Sequence, residues 1–200
     1  MKNREWLIIV DYQNDFANPD GTLYVNNWEK LLNYINWLIK AVKLKSRIII
    51  STQDWHPYNH TSFAKNHNVN DFSLVWDEVK WPVHCVENSW WADFLDWLEK
   101  DLIDVKIHKW MDFDKECYSW FGWIEENSLK SLDEILTENK VKILNIVWLA
   151  TDFCVYHTVD DALKKWYKVN LHTKWIAWVY PTPESHFAIP SMQQMWAKIF

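Results

Sequence analysis

The chain has 200 residues, a length that suits one domain with a sizeable core. Charged residues make up 24% and the formal net charge is −6, which excludes a polyanion such as nucleic acid as the expected partner. Three cysteines without paired spacing argue for a reducing compartment, and only about five apolar residues precede Asp11, too few for a signal peptide or membrane span, so the expectation is a soluble cytoplasmic protein with no membrane partner.

Taken in chain order, strands alternate with helices, and several strands end in a side chain able to do chemistry. The first strand, near 6–10, runs Leu7-Ile-Ile-Val10 into Asp11 of Asp11-Tyr-Gln-Asn-Asp-Phe16. A helix near 28–45 follows. The second strand, near 47–52, reads Arg47-Ile-Ile-Ile-Ser-Thr52 and leads into Asp54-Trp55-His56. From Asp54 to Trp90 no element stands out, and a loop that long in a compact domain is usually functional. A helix is expected near 91–100, then a strand near 105–108, Val105-Lys-Ile-His108, which ends at Lys109.

Beyond a helix near 129–139, the apolar run Ile143-Leu-Asn-Ile-Val-Trp-Leu-Ala150 predicts a buried strand over 143–149. Val155, Val159, Ala162 and Leu163 recur at helical spacing, so a helix over 154–165 begins at Cys154. A cysteine in a first helical turn lies where backbone N–H groups and the helix dipole favour a thiolate, so it is placed to be a nucleophile. The same residue is equally readable as a small buried side chain, the usual fate of a free cysteine. A strand near 168–173, a helix near 184–195 and a short strand near 197–200 complete the chain. This pattern predicts one α/β domain over residues 1–200: three layers, αβα, around a mostly parallel sheet of about six strands. Asp11, Asp54, Lys109 and Cys154 would then emerge at carboxyl strand ends, where such sheets place their ligand crevice.

The long loop carries Asp54-x-His56, then His60, His67 and His84. Residues two apart in extended chain point to the same side, so Asp54 and His56 can face one ion, with His84 returning to complete a facial set. Two imidazoles and one carboxylate leave coordination positions open, the mark of a catalytic metal; zinc, iron(II) and manganese(II) all fit. His60 and His67 are equally readable as ordinary loop histidines, and Cys85 as packing.

One feature of the composition conflicts with the fold class: there are 17 Trp and 2 Gly. Glycine is normally about 7% of residues and serves helix ends and tight turns, because it alone adopts left-handed angles cheaply. Here Trp166 stands between a helix and a strand, Trp175 and Trp178 punctuate a loop before Pro181, Trp90 and Trp91 open a predicted helix, and Trp120 and Trp123 bracket Gly122. Ten such sites, each with a left-handed cost and added bulk, would total at least about 20 kcal/mol. That exceeds the roughly 5–15 kcal/mol that holds a domain together. The reading is that many of these residues are glycine in the cell. Some bacterial lineages read the codon UGA as glycine, and a table assigning it to tryptophan would write this sequence. A tryptophan-rich interaction surface is the alternative, but the positions follow turns rather than one face.

Together these residues resemble the nicotinamidase branch of the isochorismatase-like cysteine hydrolases, from about Leu7 to Lys198. The landmarks are Ile9-Val-Asp-Tyr-Gln-Asn-Asp-Phe16, Gln53-Asp-Trp-His-Pro57 with His60-Thr-Ser-Phe63, Trp81-Pro-Val-His-Cys-Val86, His108-Lys109 before Tyr118-Ser119, and Leu149-Ala-Thr-Asp-Phe-Cys-Val155. The ordered set is specific where no single motif is.

The resemblance implies a metal-assisted amidohydrolase converting nicotinamide to nicotinate and ammonia. In it Asp11, Lys109 and Cys154 form the catalytic triad. Asp54, His56 and His84 hold one divalent metal ion, zinc being the first expectation, with His60 a fourth ligand either direct or through water. Phe16 and Trp81 hold the pyridine ring, which makes Trp81 and Trp55 true tryptophans. The backbone N–H groups of Ala150 and Cys154 form the oxyanion hole, and Lys109 keeps Asp11 ionised. A homo-oligomer is expected on the same ground. The pattern has glycine where this chain has Trp110 and favours it at Trp148, and Trp28, Trp90, Trp91, Trp166, Trp175, Trp178 and Trp196 fit the same account. Trp6, Trp37, Trp76 and Trp97 are assigned neither way. The alternatives are another amidohydrolase of this family, or a non-catalytic binding protein whose pocket Trp110 fills.

Overall fold

The computed structural model describes residues 5–26, 28–109, 114, 118–148, 153–172 and 185–200. Continuous apolar runs become the central strands. In β1 (Glu5–Val10), Leu7 to Val10 are almost wholly buried, as a strand covered on both faces must be. A single helical turn, α1 (Asn14–Ala17), follows it, and α2 (Leu32–Leu44) extends a 3-10 turn at Trp28–Leu31. Ile35, Ile39 and Val42 of α2 are buried at helical spacing.

The remaining elements are β2 (Ile49–Asp54), the hairpin β3 (Leu74–Val75) and β4 (Glu78–Val79), β5 (Val105–Lys109), β6 (Ile124–Glu125), α3 (Leu132–Glu138), β7 (Ile143–Trp148), α4 (Cys154–Lys164), β8 (Lys168–Leu171), α5 (Ser185–Gln194) and β9 (Lys198–Ile199). The main sheet runs β6-β5-β2-β1-β7-β8-β9, parallel throughout except where β6 joins β5. This is the expected three-layer α/β architecture, with a short antiparallel seventh strand that periodicity does not announce. Strand order reverses beside β1, where β2 departs to one side and β7 to the other. That switch point is where such sheets open a crevice beyond their carboxyl ends. No helix among the described residues is long and apolar enough to cross a membrane.

Two expectations need correction. The helix expected near 91–100 does not form: one 3-10 turn spans Trp90–Ala92, started by the Ser89 hydroxyl accepting from Ala92 N–H. The backbone beyond is claimed by other partners. Asn14 N–H donates to the Asp93 carbonyl, Leu95 N–H donates to the Tyr12 carbonyl, and Trp97 takes a left-handed φ of 71°. Tertiary pairing overrides helix propensity here. Likewise the loop from Asp54 to Trp90 contains a 3-10 turn at Ala64–His67 and the β3–β4 hairpin.

The helix ends share one device. After α4, Tyr167 N–H donates to the Ala162 carbonyl and Trp166 N–H to Leu163; after α5, Ala197 donates to Met192 and Trp196 to Gln193. These are paired Schellman bonds, which need a left-handed residue at the turn. Trp166 (φ 66°) and Trp196 (φ 77°) occupy it, as Ser46 (φ 52°) and Lys140 (φ 54°) do after α2 and α3. In the β3–β4 hairpin the two-residue loop is Trp76-Asp77, both with positive φ, the type I′ geometry that selects Asn-Gly and similar pairs. Trp76, Trp97, Trp166 and Trp196 are each at least 86% exposed.

Candidate functional site

Four chemically active side chains converge beyond the carboxyl ends of β1, β2, β5 and β7. Asp11 directly follows β1, Asp54 ends β2, Lys109 ends β5, and Cys154 opens α4 after β7. Ligand-type atoms of Asp11, Asp54 and Cys154 all lie within 4.8 Å of one another. Buried between them, the Lys109 ammonium donates to Cys154 Sγ at 2.9 Å and pairs with Asp54 Oδ1 at 2.9 Å.

Asp11 is held in an uncommon backbone conformation, φ 53°, which turns the chain out of the sheet. Thr52 of β2 fixes it twice: its hydroxyl accepts from Asp11 N–H at 3.1 Å and donates to Asp11 Oδ1 at 2.8 Å. Sequence reasoning does not single out Thr52. A lone hydroxyl at a strand end gives no signal until the register sets it beside Asp11.

The electrostatics follow from burial. Burial pushes the Asp11 carboxyl well above its ordinary range, Asp54 adds to this, and Lys109 and Thr52 pull against it. Lys109 acts in the expected direction, favouring the Asp11 carboxylate against burial and Asp54. The Lys109 ammonium also bonds Asp54 and Cys154. Despite burial, the surrounding Asp54, Cys154 and Asp11 raise the Lys109 ammonium well above its usual value, so it stays charged. Asp54, also opposed by burial, is held well below the carboxylate range by Lys109 and the neighbouring histidines. The Cys154 thiol is pushed up, by burial first and then by Asp11 and Asp54 against Lys109. Burial thus works against the thiolate that the helix start is expected to favour. Asp11 lies beside the Cys154 thiol, within 4.8 Å.

Asp54 also belongs to a second cluster. One ligand atom each from Asp54, His56 and His84 lie within 4.8 Å of one another, all three residues buried. His56 Nε2 stands 3.8 Å and His84 Nε2 3.7 Å from Asp54 Oδ2. These separations are too long for hydrogen bonds but suit ligands that share one ion.

The tautomers agree. His84 Nδ1 lies 2.8 Å from the Pro82 carbonyl, which can only accept, so Nδ1 carries the proton and Nε2 presents its lone pair toward Asp54. Burial drives the His56 pKa to about 3, so its imidazole stays neutral, the form that ligates. His60 is buried beside His56, ring centroids 4.7 Å apart. Its Nδ1 accepts from Ser62 N–H at 3.1 Å, which puts the neutral ring's proton on Nε2 and suits contact through water better than direct ligation. His67 instead bonds the Thr61 carbonyl at 2.7 Å and serves the loop.

Phe16 and Trp81 are both buried. Phe16 faces the His84 ring at 6.0 Å, and Trp81 meets Phe153, next to Cys154, edge-on at 4.9 Å. Tyr118, quoted only as a landmark in the sequence, packs on Phe153 and accepts from Trp81 Nε1 at 3.3 Å. Trp120 is fully buried over the Lys109 ammonium at 4.4 Å, and among the described residues its indole N–H finds no hydrogen-bond acceptor. Ala150, Trp110, Trp175 and Trp178 lie outside the described residues.

A strand-end carboxylate, lysine and cysteine thus lie beside a carboxylate–histidine cluster of a kind that can hold a metal ion, on a mostly parallel α/β sheet. The chain belongs to the isochorismatase domain family, which matches residues 5–200. Within that family it is similar to the nicotinamidase of Escherichia coli, 36% identical over 171 residues that cover 84% of this chain and 80% of that enzyme. Among solved structures it resembles the pyrazinamidase of Pyrococcus horikoshii in complex with zinc, with a TM-score of 0.81, 34% identity and coverage of 99% of both chains. PnC1 from L. infantum in complex with nicotinate superposes with a TM-score of 0.83 at 29% identity, covering 100% of this chain and 93% of that one.

Proposed function

We infer that this chain hydrolyses nicotinamide to nicotinate and ammonia, a step of NAD salvage. The observation that carries this reading is that Asp54 belongs at once to the nucleophile cluster and to the Asp54/His56/His84 cluster. A pyridine carboxamide can therefore meet both with one small, rigid molecule.

A divalent ion held by Asp54, His56 and His84, zinc in the first instance, would supply a Lewis acid for the pyridine nitrogen, with His60 touching it through water. Phe16 and Trp81 hold the ring and so orient the carboxamide toward Cys154. Asp11, a stronger base for its raised pKa, takes the Cys154 proton as sulfur attacks the amide carbon. The Lys109 ammonium, already donating to Sγ, stabilises the thiolate as it forms. The carbon–nitrogen bond then breaks, and Asp11 returns its proton to the departing ammonia. Water adds to the thioester, releasing nicotinate and restoring the thiol. Backbone N–H groups of Ala150 and Cys154 would stabilise the oxyanion in both halves.

The test is ammonia release from nicotinamide, with and without a chelator, by the wild type and Cys154→Ala. Turnover lost on chelation and in the variant supports the reading. Full activity in Cys154→Ala removes the nucleophile, and nicotinate absent from the products removes the substrate. Light scattering on the same samples decides the homo-oligomer expected from family resemblance.

We also infer that a set of the tryptophans is glycine in the cell. Support comes from Trp76, Trp97, Trp166 and Trp196, which combine left-handed backbone with almost complete exposure. Trp120, buried against the catalytic lysine with an indole N–H unsatisfied among the described residues, belongs with them. Trp28 has no left-handed backbone and packs on Tyr12 with ring centroids 5.7 Å apart, so its case rests on resemblance alone. Peptide mass spectrometry of the native protein that finds tryptophan at 166 and 196 ends this reading.

A further inference from the structure

The metal-type ligands do not hold themselves in place. β1 stops pairing with β2 at Ile9–Ser51, while β2 runs on to Asp54 and pairs beyond that point only with β5. The backbone N–H and C=O of Asp54 on the side that β1 has left would be buried without partners. The Gln13 side chain takes the missing strand's place: its Oε1 accepts from Asp54 N–H at 2.8 Å, and its Nε2 donates to the Asp54 carbonyl at 2.8 Å. The second Nε2 hydrogen goes to the Ala92 carbonyl at 2.7 Å. A primary amide offers the same donor and acceptor pair as a peptide group, and in fully buried Gln13 both N–H donors and the oxygen are engaged.

Two residues on, Asp15 does the same for the returning arm of the loop. Its Oδ2 accepts from Cys85 N–H at 2.6 Å and its Oδ1 from Thr22 N–H at 2.9 Å. Cys85 follows His84 directly and sits at φ 42°, a left-handed angle that the short bond to Asp15 stabilises. The Cys85 carbonyl in turn accepts from His56 N–H at 3.0 Å. The backbone of all three ligands is thereby tied to the segment that begins at Asp11.

We propose that Gln13 and Asp15 are positioning residues that set the metal affinity of the Asp54/His56/His84 cluster. This rests on the reading of that cluster as the metal site. Gln13 fixes Asp54, and Asp15 fixes His84 and, through Cys85, His56. Groups that orient metal ligands from behind typically change affinity by about 10- to 100-fold when lost.

The experiment is zinc affinity by competition with a chromogenic chelator, for wild type, Asp54→Ala, Gln13→Glu and Asp15→Asn. Gln13→Glu keeps the acceptor for Asp54 N–H and loses both donors. Asp15→Asn keeps shape but sets an amide nitrogen against one of its two N–H partners. The expected result is zinc binding weakened by about 10- to 100-fold in Gln13→Glu and in Asp15→Asn, and by more in Asp54→Ala. In metal-free Asp15→Asn, the rate of iodoacetamide labelling at the Cys154 peptide should match wild type, because the Asp15 carboxylate bonds Cys85 and Thr22 on the far side of the ligand loop from the thiol. A general loss of structure would move both readouts, and that result overturns the proposal. Wild-type zinc affinity in a folded Asp15→Asn also overturns it, whether or not Gln13→Glu folds. If Asp54→Ala binds zinc as well as wild type, the metal reading itself fails, and the positioning roles fail with it.

Discussion

Replacing Trp76, Trp97, Trp166 and Trp196 by glycine should stabilise this chain, whereas tryptophan-to-glycine changes in a packed interior destabilise. Each of the four has φ between 50° and 77°, a region that costs a non-glycine residue about 1–2 kcal/mol. Against this, glycine gains freedom in the unfolded chain worth about 0.4–1 kcal/mol. The indoles are at least 86% exposed, so their removal opens no cavity. The balance is about 0.5–1 kcal/mol per site. The sites lie in a hairpin, a loop and two helix ends, so the effects should add to about 2–4 kcal/mol. For a chain of this size that raises Tm by roughly 5–15 °C.

The assay is thermal unfolding of the literal sequence and the fourfold variant, with two controls. Lys140→Gly, at the same helix-end position after α3, should gain a comparable amount per site. Trp81→Gly should instead lose about 3–5 kcal/mol, because that side chain is 6% exposed and packed on Phe153. An unchanged or lowered Tm for Trp166→Gly and Trp196→Gly, beside a raised one for Lys140→Gly, would refute the reasoning. It would mean that the indoles hold native contacts worth more than the backbone cost.

Three further outcomes are expected. Cys154→Ala should abolish ammonia release while nicotinamide binding, followed by calorimetry, stays within a few fold. His84→Ala should weaken zinc binding by at least 10-fold, since it removes a direct ligand rather than one of the groups behind it. Asp11→Asn should lose turnover yet raise the Tm of the metal-free protein. A carboxyl whose folded pKa lies above 3.8 contributes stability that is present below that value and lost as pH rises through the folded pKa. The variant lacks this titration, so its Tm advantage should grow as pH rises through the Asp11 titration and level off above it. A constant difference across pH would locate the effect elsewhere.

The sequence by itself determined much of this protein. Continuous apolar runs define central strands buried on both faces, and the 3.6-residue period of Val155, Val159 and Ala162 defines α4, because burial is a local constraint on residue type. The catalytic and ligand types at the strand ends were equally legible, since few side chains carry that chemistry. Two strands of the site, β1 and β7, are far apart in the chain, and only their pairing beside β2 sets Asp11, Asp54 and Cys154 within 4.8 Å of one another. Tertiary structure alone decided the rest. Residues 91–100 look helical, yet their backbone groups are taken by Tyr12 and Asn14, which no local pattern reports. The protonation of Cys154 turned on burial against a helix start, a contest that needs the surroundings of the thiol. Thr52, Gln13 and Asp15 gained their roles from partners about 40 to 80 positions away in the chain, or across the register of neighbouring strands. A sequence names the groups that can act; which backbone each one satisfies is a property of packed chain, where buried donors and acceptors must find one another.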